Sequence, residues 1–129
     1  HAALAASTWP DINGAWVPGN MFTQGSFLED LTHNTQTIHF VHRNLAYLIT
    51  ILVVIWWWKA ASETPEHSLL HRVRYLPLLL VLVQVLLGVL TLLGSQIHIP
   101  ILQAILHQAV GMFLLLVLVW TYFLSYGKK

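Results

Sequence analysis

Three long stretches of mostly apolar residues constrain the fold of this chain more than any other feature: 36–58, 75–93 and 101–126. A helix rises about 1.5 Å per residue, so roughly 20 apolar residues cross a hydrocarbon core about 30 Å thick. Hydrophobic residues make up 57% of the 129 residues and charged residues only 9%, which is not the balance of a soluble domain. The sequence therefore predicts an all-α membrane protein with three transmembrane helices.

The segment before the first apolar stretch predicts the tail of a fourth helix followed by a loop. Residues 1–8 are small and apolar, so we expect the end of a preceding membrane helix and a chain that lacks its natural start. Residues 9–35 are rich in proline, glycine and asparagine, which predicts an outer loop. Ser26 and Glu29 have the spacing of a capping box, which predicts a short helix over 27–33 along the membrane interface.

Two shorter segments connect the three predicted spans. Thr64-Pro65 has the pattern of an N-cap and a first helical residue, so we expect the next helix to begin there. Pro77 stands near the entrance of the second span, where a kink is tolerated. The connection over 94–100 is short, so the second and third spans should be antiparallel neighbours.

Basic residues set the predicted orientation in the lipid bilayer. Those near the first connection and the C-terminus are Lys59, Arg72, Arg74, Lys128 and Lys129, whereas residues 1–42 and 94–100 contain no lysine or arginine. Because short cytoplasmic loops are rich in lysine and arginine, the C-terminus should lie inside and the loops 9–35 and 94–100 outside. The chain has no long basic block, which argues against nucleic acid as a partner, and no cysteine, which excludes thiolate metal sites.

Two histidines are predicted to lie at the same depth near the outer face. His42 and His107 each stand about six residues inside a helix, or roughly 9 Å along its axis. Ionisable residues inside a membrane are costly and usually functional. Two facing histidines can supply both axial ligands of a haem iron, and the bundle interior can enclose the apolar macrocycle. The alternative is that each ring hydrogen-bonds across the bundle to a carbonyl or hydroxyl group.

Two further residues stand close to His42. His39 is three residues earlier on a neighbouring position of the same helix face, so it is either a residue at the lip of the site or a second metal contact. We favour His42 as the ligand because it is deeper, and we favour haem over zinc because only His39 could add a further ligand. Arg43 is expected either to pair with a haem propionate or to extend to the membrane interface.

Small and polar residues form a stripe on each of the other two spans: Gln84, Gly88 and Thr91 on the second, and Gln103, His107 and Gly111 on the third. Gly88 allows close approach of a helix or a macrocycle, and plain helix packing is the simpler interpretation. The predicted cofactor-binding residues are His42, His107, Arg43, Gln84, Gly88 and Gly111, of which the two histidines ligate iron. His33 and His98 are expected to be solvated or interfacial.

Several short motifs carry a resemblance to a known family. They are Ser7-Thr8-Trp9-Pro10-Asp11-Ile12-Asn13-Gly14, Trp16-Val17-Pro18, Phe40-Val41-His42-Arg43, Leu45-Ala46-Tyr47, Gln84-Val85-Leu86-Leu87-Gly88 with Thr91, and Leu106-His107-Gln108-Ala109. In this order the motifs resemble the C-terminal half of haem A synthase. That membrane enzyme converts haem O to haem A in bacterial and mitochondrial inner membranes.

The resemblance implies half of an eight-helix, pseudo-symmetric bundle. In this half, His42 and His107 would hold haem b for electron transfer. The residues that oxidise haem O, the substrate, would belong to the missing N-terminal half, so this chain alone should be inactive as an oxidoreductase. The resemblance also implies haem O synthase as a partner and a C-terminus on the cytoplasmic or matrix side of the inner membrane.

Two other functions stay open at this point. A stand-alone membrane b-type cytochrome could use the same histidine pair to pass electrons from quinol to an outer acceptor. A non-catalytic assembly subunit would use its histidines only for hydrogen bonds.

Overall fold

The computed structural model describes residues 8–23, 25–95, 97 and 99–126, and in these residues the secondary structure is helical, without a β-strand. The helices are α1 (Phe27–His33), α2 (Thr35–Glu63), α3 (Leu69–Val73), α4 (Tyr75–Gly94) and α5 (Ile101–Tyr126). Three segments are long and apolar enough to cross a membrane: α2, the stretch Leu69–Gly94 that contains α3 and α4, and α5. The prediction of an all-α, multi-pass membrane protein is confirmed.

Some predictions fall outside the described residues. They concern the preceding helix over residues 1–7, the loop residue His98 and the basic residues Lys128 and Lys129. Thr8, which the sequence assigned to that preceding helix, belongs to the loop.

The loop before α2 contains the short helix α1 at the predicted position. The hydroxyl of Ser26 accepts a hydrogen bond from the Glu29 N–H at 3.2 Å and lies 3.1 Å from the Glu29 carboxylate. This contact satisfies one of the amide groups that a helix start leaves without a partner. Phe27 and Leu28 are exposed on its surface, as expected of a helix that lies against the membrane interface.

Helix α2 begins one residue earlier than predicted because Asn34 caps it. The side-chain oxygen of Asn34 accepts hydrogen bonds from the N–H groups of Gln36 and Thr37 at 3.1 and 3.3 Å. Its amide nitrogen donates to the Asp30 carboxylate at 3.1 Å, which ties α2 to α1. The start of the first span is therefore fixed by polar contacts with the loop.

The other end of α2 differs from the prediction, and the assignment of Thr64-Pro65 as a helix start is wrong. The helix continues past residue 58 to Glu63, and Thr64 is its C-terminal cap with φ −107° and ψ 139°. Proline disfavours the helical conformation at the residue before it, so Pro65 ends the preceding helix here instead of opening the next one. Helix α3 begins after Ser68, whose hydroxyl accepts from the His71 N–H at 3.1 Å.

The three spans pack most closely at a small apolar core. It consists of Val53 from α2, Val81 from α4 and Leu114 from α5, with Leu80 and Leu118 packed against it. Helices α4 and α5 are antiparallel, since Gly88 lies beside His107 while Gln84 lies beside Gly111. Many apolar side chains on the outer helix faces are exposed, as expected of a surface that meets lipid.

Candidate functional site

A cavity of about 530 Å³ opens between α2, α4 and α5 at the end of the bundle where α2 and α5 begin. Its volume lies within the range of about 300–1,000 Å³ that is usual for ligand and cofactor sites. Val81 and Leu114 of the apolar core form its floor, and Trp9 reaches its wall from the loop before α1. The cavity is therefore bounded by apolar side chains at its floor and by Trp9 of the loop at one wall.

The two predicted ligands lie in this cavity with their rings close together. The ring centres of His42 and His107 are 6.1 Å apart, with 65° between the ring planes. A bond between a metal ion and an imidazole nitrogen is about 2 Å long, so two imidazoles on one ion have ring centres about 6 Å apart. The spacing of the two rings therefore suits one metal ion between them.

The His107 ring is held in place by Gln84 on the facing helix. Its Nδ1 lies 3.1 Å from the main-chain oxygen of Gln84, and its Nε2 lies 3.3 Å from the side-chain amide nitrogen of Gln84. A carbonyl oxygen can only accept, so Nδ1 carries the hydrogen and a neutral ring has its lone pair on Nε2. Histidines that ligate metals usually donate their other N–H in this way.

Gly88 and Gly111 make the space that these contacts need. A Cβ atom on Gly88 would lie 3.1 Å from Cε1 of His107, and a Cβ atom on Gly111 would lie 2.9 Å from the amide nitrogen of Gln84. Both distances are tighter than ordinary packing. The two glycines therefore admit the ring and the amide, which is a more specific role than the plain helix packing considered from the sequence.

His42 differs from His107 in its surroundings. The side chain is exposed, and within the described part of the chain its ring has no hydrogen-bond partner. The alternative was that each histidine ring only hydrogen-bonds across the bundle. His107 fits this alternative, because its Nδ1 contacts the Gln84 carbonyl, but the ring of His42 makes no such bond in the described part of the chain. His39 lines the same cavity, and its Nδ1 lies 3.4 Å from the guanidinium of Arg43.

Arg43 makes contacts that the sequence did not predict. Its guanidinium donates to the main-chain oxygens of Thr8 at 3.1 Å, of Pro10 at 3.0 Å and of Asp11. The residue is buried and also lines the cavity. Arg43 therefore fastens the segment 8–11 of the loop beside the cavity, and its pairing with a propionate stays a prediction.

Asp11 organises the turn that Arg43 holds. The hydroxyl of Thr8 donates to the Asp11 carboxylate at 2.8 Å, and the N–H of Gly14 donates to it at 3.1 Å. These two hydrogen bonds, with a smaller contribution from the Arg43 charge, hold the pKa of Asp11 below its ordinary value of 3.8. The carboxylate is thus charged at neutral pH and keeps the turn in shape.

The donor set suits a metal held in a macrocycle. Among the described residues, no group of three or more histidine, aspartate and glutamate side chains is placed to bind a metal ion. A haem iron takes its other ligands from the porphyrin and needs only axial ligands from the protein. The two imidazoles and the apolar walls of the cavity fit that group.

The stripe on α4 lines the cavity with all three of its residues, Gln84, Gly88 and Thr91, whereas Gln103 of the α5 stripe lies outside it. Sequence reasoning missed Trp9, Tyr47 and Thr50, which also line the cavity. Tyr47 and Thr50 stand four and seven residues after Arg43 on α2, so the helical face of Arg43 could have indicated them. No local signal indicated Trp9, which comes from the loop.

Comparison with known proteins shows which family the chain is similar to. Residues 1–119 match the profile of a family described as cytochrome oxidase assembly protein. Over 109 residues the chain is 38% identical to the haem A synthase of Brucella suis, 35% identical to that of Brucella anthropi and 37% identical to that of Brucella melitensis. Each alignment covers 84% of this chain and 29% of the relative, so the chain spans less than a third of these relatives. No solved structure matches the chain.

Proposed function

Because the chain belongs to the haem A synthase family of cytochrome oxidase assembly proteins, we propose that it is the C-terminal, haem b-binding half of such an enzyme. The observation that carries this proposal is the pair of imidazoles on α2 and α5, 6.1 Å apart across an apolar cavity. The family match supports the haem chemistry, and the geometry indicates which residues would perform it.

His42 and His107 would be the two protein ligands of the iron. Hydrogen bonding of Nδ1 to the Gln84 carbonyl leaves the lone pair of His107 on Nε2, on a ring whose centre is 6.1 Å from that of His42. A haem with two histidine ligands supplies one-electron transfer when it is bound. Val85 and Val89 on α4 also line the cavity, and their apolar side chains would keep water from this part of it.

Arg43 has two roles in this proposal. Its hydrogen bonds to the loop keep Trp9 at the cavity wall. Because its guanidinium also lines the cavity, it offers positive charge to a propionate at the mouth. Gln84, Gly88 and Gly111 shape the opposite wall around His107.

The activity of the whole enzyme is part of the proposal. The complete protein would oxidise a methyl group of haem O to the formyl group of haem A, with the oxidation carried out in an N-terminal half. This chain would transfer electrons for that half and be inactive alone. The proposed location is a bacterial or mitochondrial inner membrane, with the C-terminus on the cytoplasmic or matrix side and haem O synthase as the partner that delivers substrate.

A spectrum of the purified chain tests the haem proposal. We expect a pyridine haemochrome of the b type and sharp reduced bands, and both His42→Ala and His107→Ala should lose them. Gln103→Ala, which changes a polar residue of α5 outside the cavity, should keep the wild-type spectrum. A chain without haem, or bands that survive both histidine substitutions, would favour the non-catalytic assembly subunit.

A stand-alone cytochrome would give the same spectrum as the proposed half-enzyme. The gene distinguishes the two, since the proposal requires upstream sequence for further membrane helices with a second histidine pair. An open reading frame without that sequence would favour the cytochrome.

A further inference from the structure

Gln84 contacts the nitrogen of His107 that would bind iron. Its amide nitrogen lies 3.3 Å from Nε2 of His107, while its own main-chain oxygen lies 3.1 Å from Nδ1. We propose that Gln84 is a positioning residue with two opposed effects. Its main-chain oxygen orients His107 for iron, and its side-chain amide caps the same histidine, which means that it donates a hydrogen bond to Nε2 until iron displaces it. This inference rests on the proposed haem site.

The direction of both hydrogen bonds follows from the main-chain contact. Because the carbonyl oxygen accepts, Nδ1 of His107 must donate and Nε2 of the neutral ring must accept. The group of Gln84 that faces Nε2 is then its NH₂ donor and not its oxygen. The side-chain oxygen of Gln84 is buried and has no hydrogen-bond partner in the described part of the protein.

Gly111 is the reason that the amide can reach this position. A Cβ atom at residue 111 would lie 2.9 Å from the amide nitrogen of Gln84, so even alanine would force the amide away. The displaced group is the end of a flexible side chain, so the backbone need not move. Gly111→Ala therefore uncaps His107 while Gln84 keeps its chemical identity.

Capping and ligation exclude each other, because Nε2 has one lone pair. The amide must leave Nε2 when iron binds, and its hydrogen bond is lost at that moment. Removing the amide should therefore strengthen haem binding. A side chain that held the haem directly would have the opposite effect, so the sign of the change decides between the two roles.

The test compares haem affinity in purified, haem-free protein titrated with haem b in detergent. One hydrogen bond corresponds to a change of roughly twofold to tenfold in an equilibrium constant. We expect Gln84→Leu, which leaves the main-chain oxygen in place, to bind haem roughly twofold to tenfold more tightly than wild type. Gly111→Ala should change the affinity in the same direction, and the matched control Gln103→Leu should not change it.

A second measurement does not depend on haem. In histidine-labelled protein, the ¹⁵N resonance of Nε2 of His107 should show an unprotonated acceptor that shifts in Gln84→Leu and in Gly111→Ala. The resonance of Nδ1 should remain that of a protonated nitrogen in all three proteins.

The outcomes separate this inference from the proposed function. Wild-type protein that binds no haem contradicts the proposed function and, with it, the competition between amide and iron. Wild-type protein that binds haem, with equal or weaker binding by Gln84→Leu, contradicts only the inference. An unchanged Nε2 resonance in Gln84→Leu also overturns it, because the amide then does not cap the ring.

Discussion

The two ends of the three-helix bundle are built from the same helices but differ in packing. At the core end, Val53, Val81 and Leu114 are buried against one another with exposed fractions between 2% and 6%. At the histidine end, the same helices are separated by a cavity of about 530 Å³ that contains His42 and His107. Branched side chains close the interface at one end, and glycine, glutamine and histidine leave it open at the other.

This difference indicates where function lies in the molecule. Helices in a membrane associate through van der Waals contact, so a cavity between them gives up stabilising interactions. A chain that keeps such a cavity, and places paired imidazoles in it, has the features of a cofactor site. The core end gives the rigidity that keeps the cavity in shape.

The largest effect should come from the loop contacts that close the histidine end. Arg43→Ala removes charge-assisted hydrogen bonds to three main-chain oxygens, and such bonds contribute about 1.5–3 kcal/mol each when buried. We expect a loss of about 3 kcal/mol in the free energy of unfolding and faster proteolysis of the loop. Arg43→Lys keeps the charge but has fewer hydrogen-bond donors, so its free energy of unfolding should lie between those of wild type and Arg43→Ala. Wild-type stability in Arg43→Ala would show that the loop is not held by this residue.

A smaller effect is expected at the core end. Val53→Ala removes the van der Waals contacts of two methyl groups from a side chain that is 4% exposed and leaves a small void, which should lower the free energy of unfolding by about 1 kcal/mol. Haem affinity should fall only slightly, because Val53 does not line the cavity itself but packs against Val81 and Leu114, which do. The matched control is Val54→Ala, at a neighbouring side chain that is 40% exposed, and it should leave thermal unfolding almost unaltered. Equal effects of the two variants would mean that the core end is not tightly packed.

A third effect is expected on haem binding, with little change in stability. In Gly88→Ala the new methyl group meets Cε1 of His107 at 3.1 Å and shifts the ring, so haem should bind about fivefold more weakly. The unfolding midpoint should change little, since alanine is a good helix residue. Gly94→Ala, on the same helix, meets only an ordinary contact of 3.5 Å with Pro100 and should bind haem as wild type does. Undiminished haem binding in Gly88→Ala would contradict the role of this glycine.

The smallest effect concerns pH at the loop. Because hydrogen bonds from Thr8 and Gly14 lower the pKa of Asp11 in the folded protein, its carboxylate stabilises the loop above pH 3.8, the ordinary value. That contribution should be lost as the pH falls through the lowered folded-state pKa. Hydrogen exchange at the Gly14 amide should therefore report loss of protection in acid, and Asp11→Asn should remove this pH dependence. The same acid response in both proteins would assign it to another group.

Much of the fold follows from patterns within single segments. Apolar length predicted the three spans, and the bounds of α5 at Ile101–Tyr126 coincide with the predicted ones. The pair Thr64-Pro65 misled because threonine followed by proline suits either the end of one helix or the start of the next. The preceding helix decides in favour of a helix end, because it continues through the helix-favouring residues Ala60 and Ala61 up to Glu63.

The site was predictable in part. His42 and His107 stand at the same depth in their helices, and this was enough to predict that they lie close together. The sequence also singled out Gln84, Gly88 and Gly111. It could not show that Gln84 contacts both ring nitrogens of His107, because this depends on the register between α4 and α5. The partners of Arg43 lie 32 to 35 residues earlier in the chain, where no periodicity connects them.

The central claim is that one haem iron is held between His42 and His107, and low-temperature electron paramagnetic resonance of the oxidised protein tests it most directly. Two imidazole ligands give a low-spin ferric iron. The wild-type chain should show this low-spin signal, and His42→Ala and His107→Ala should each convert it to a high-spin signal or lose the haem. A low-spin signal that persists in both single variants would contradict the account.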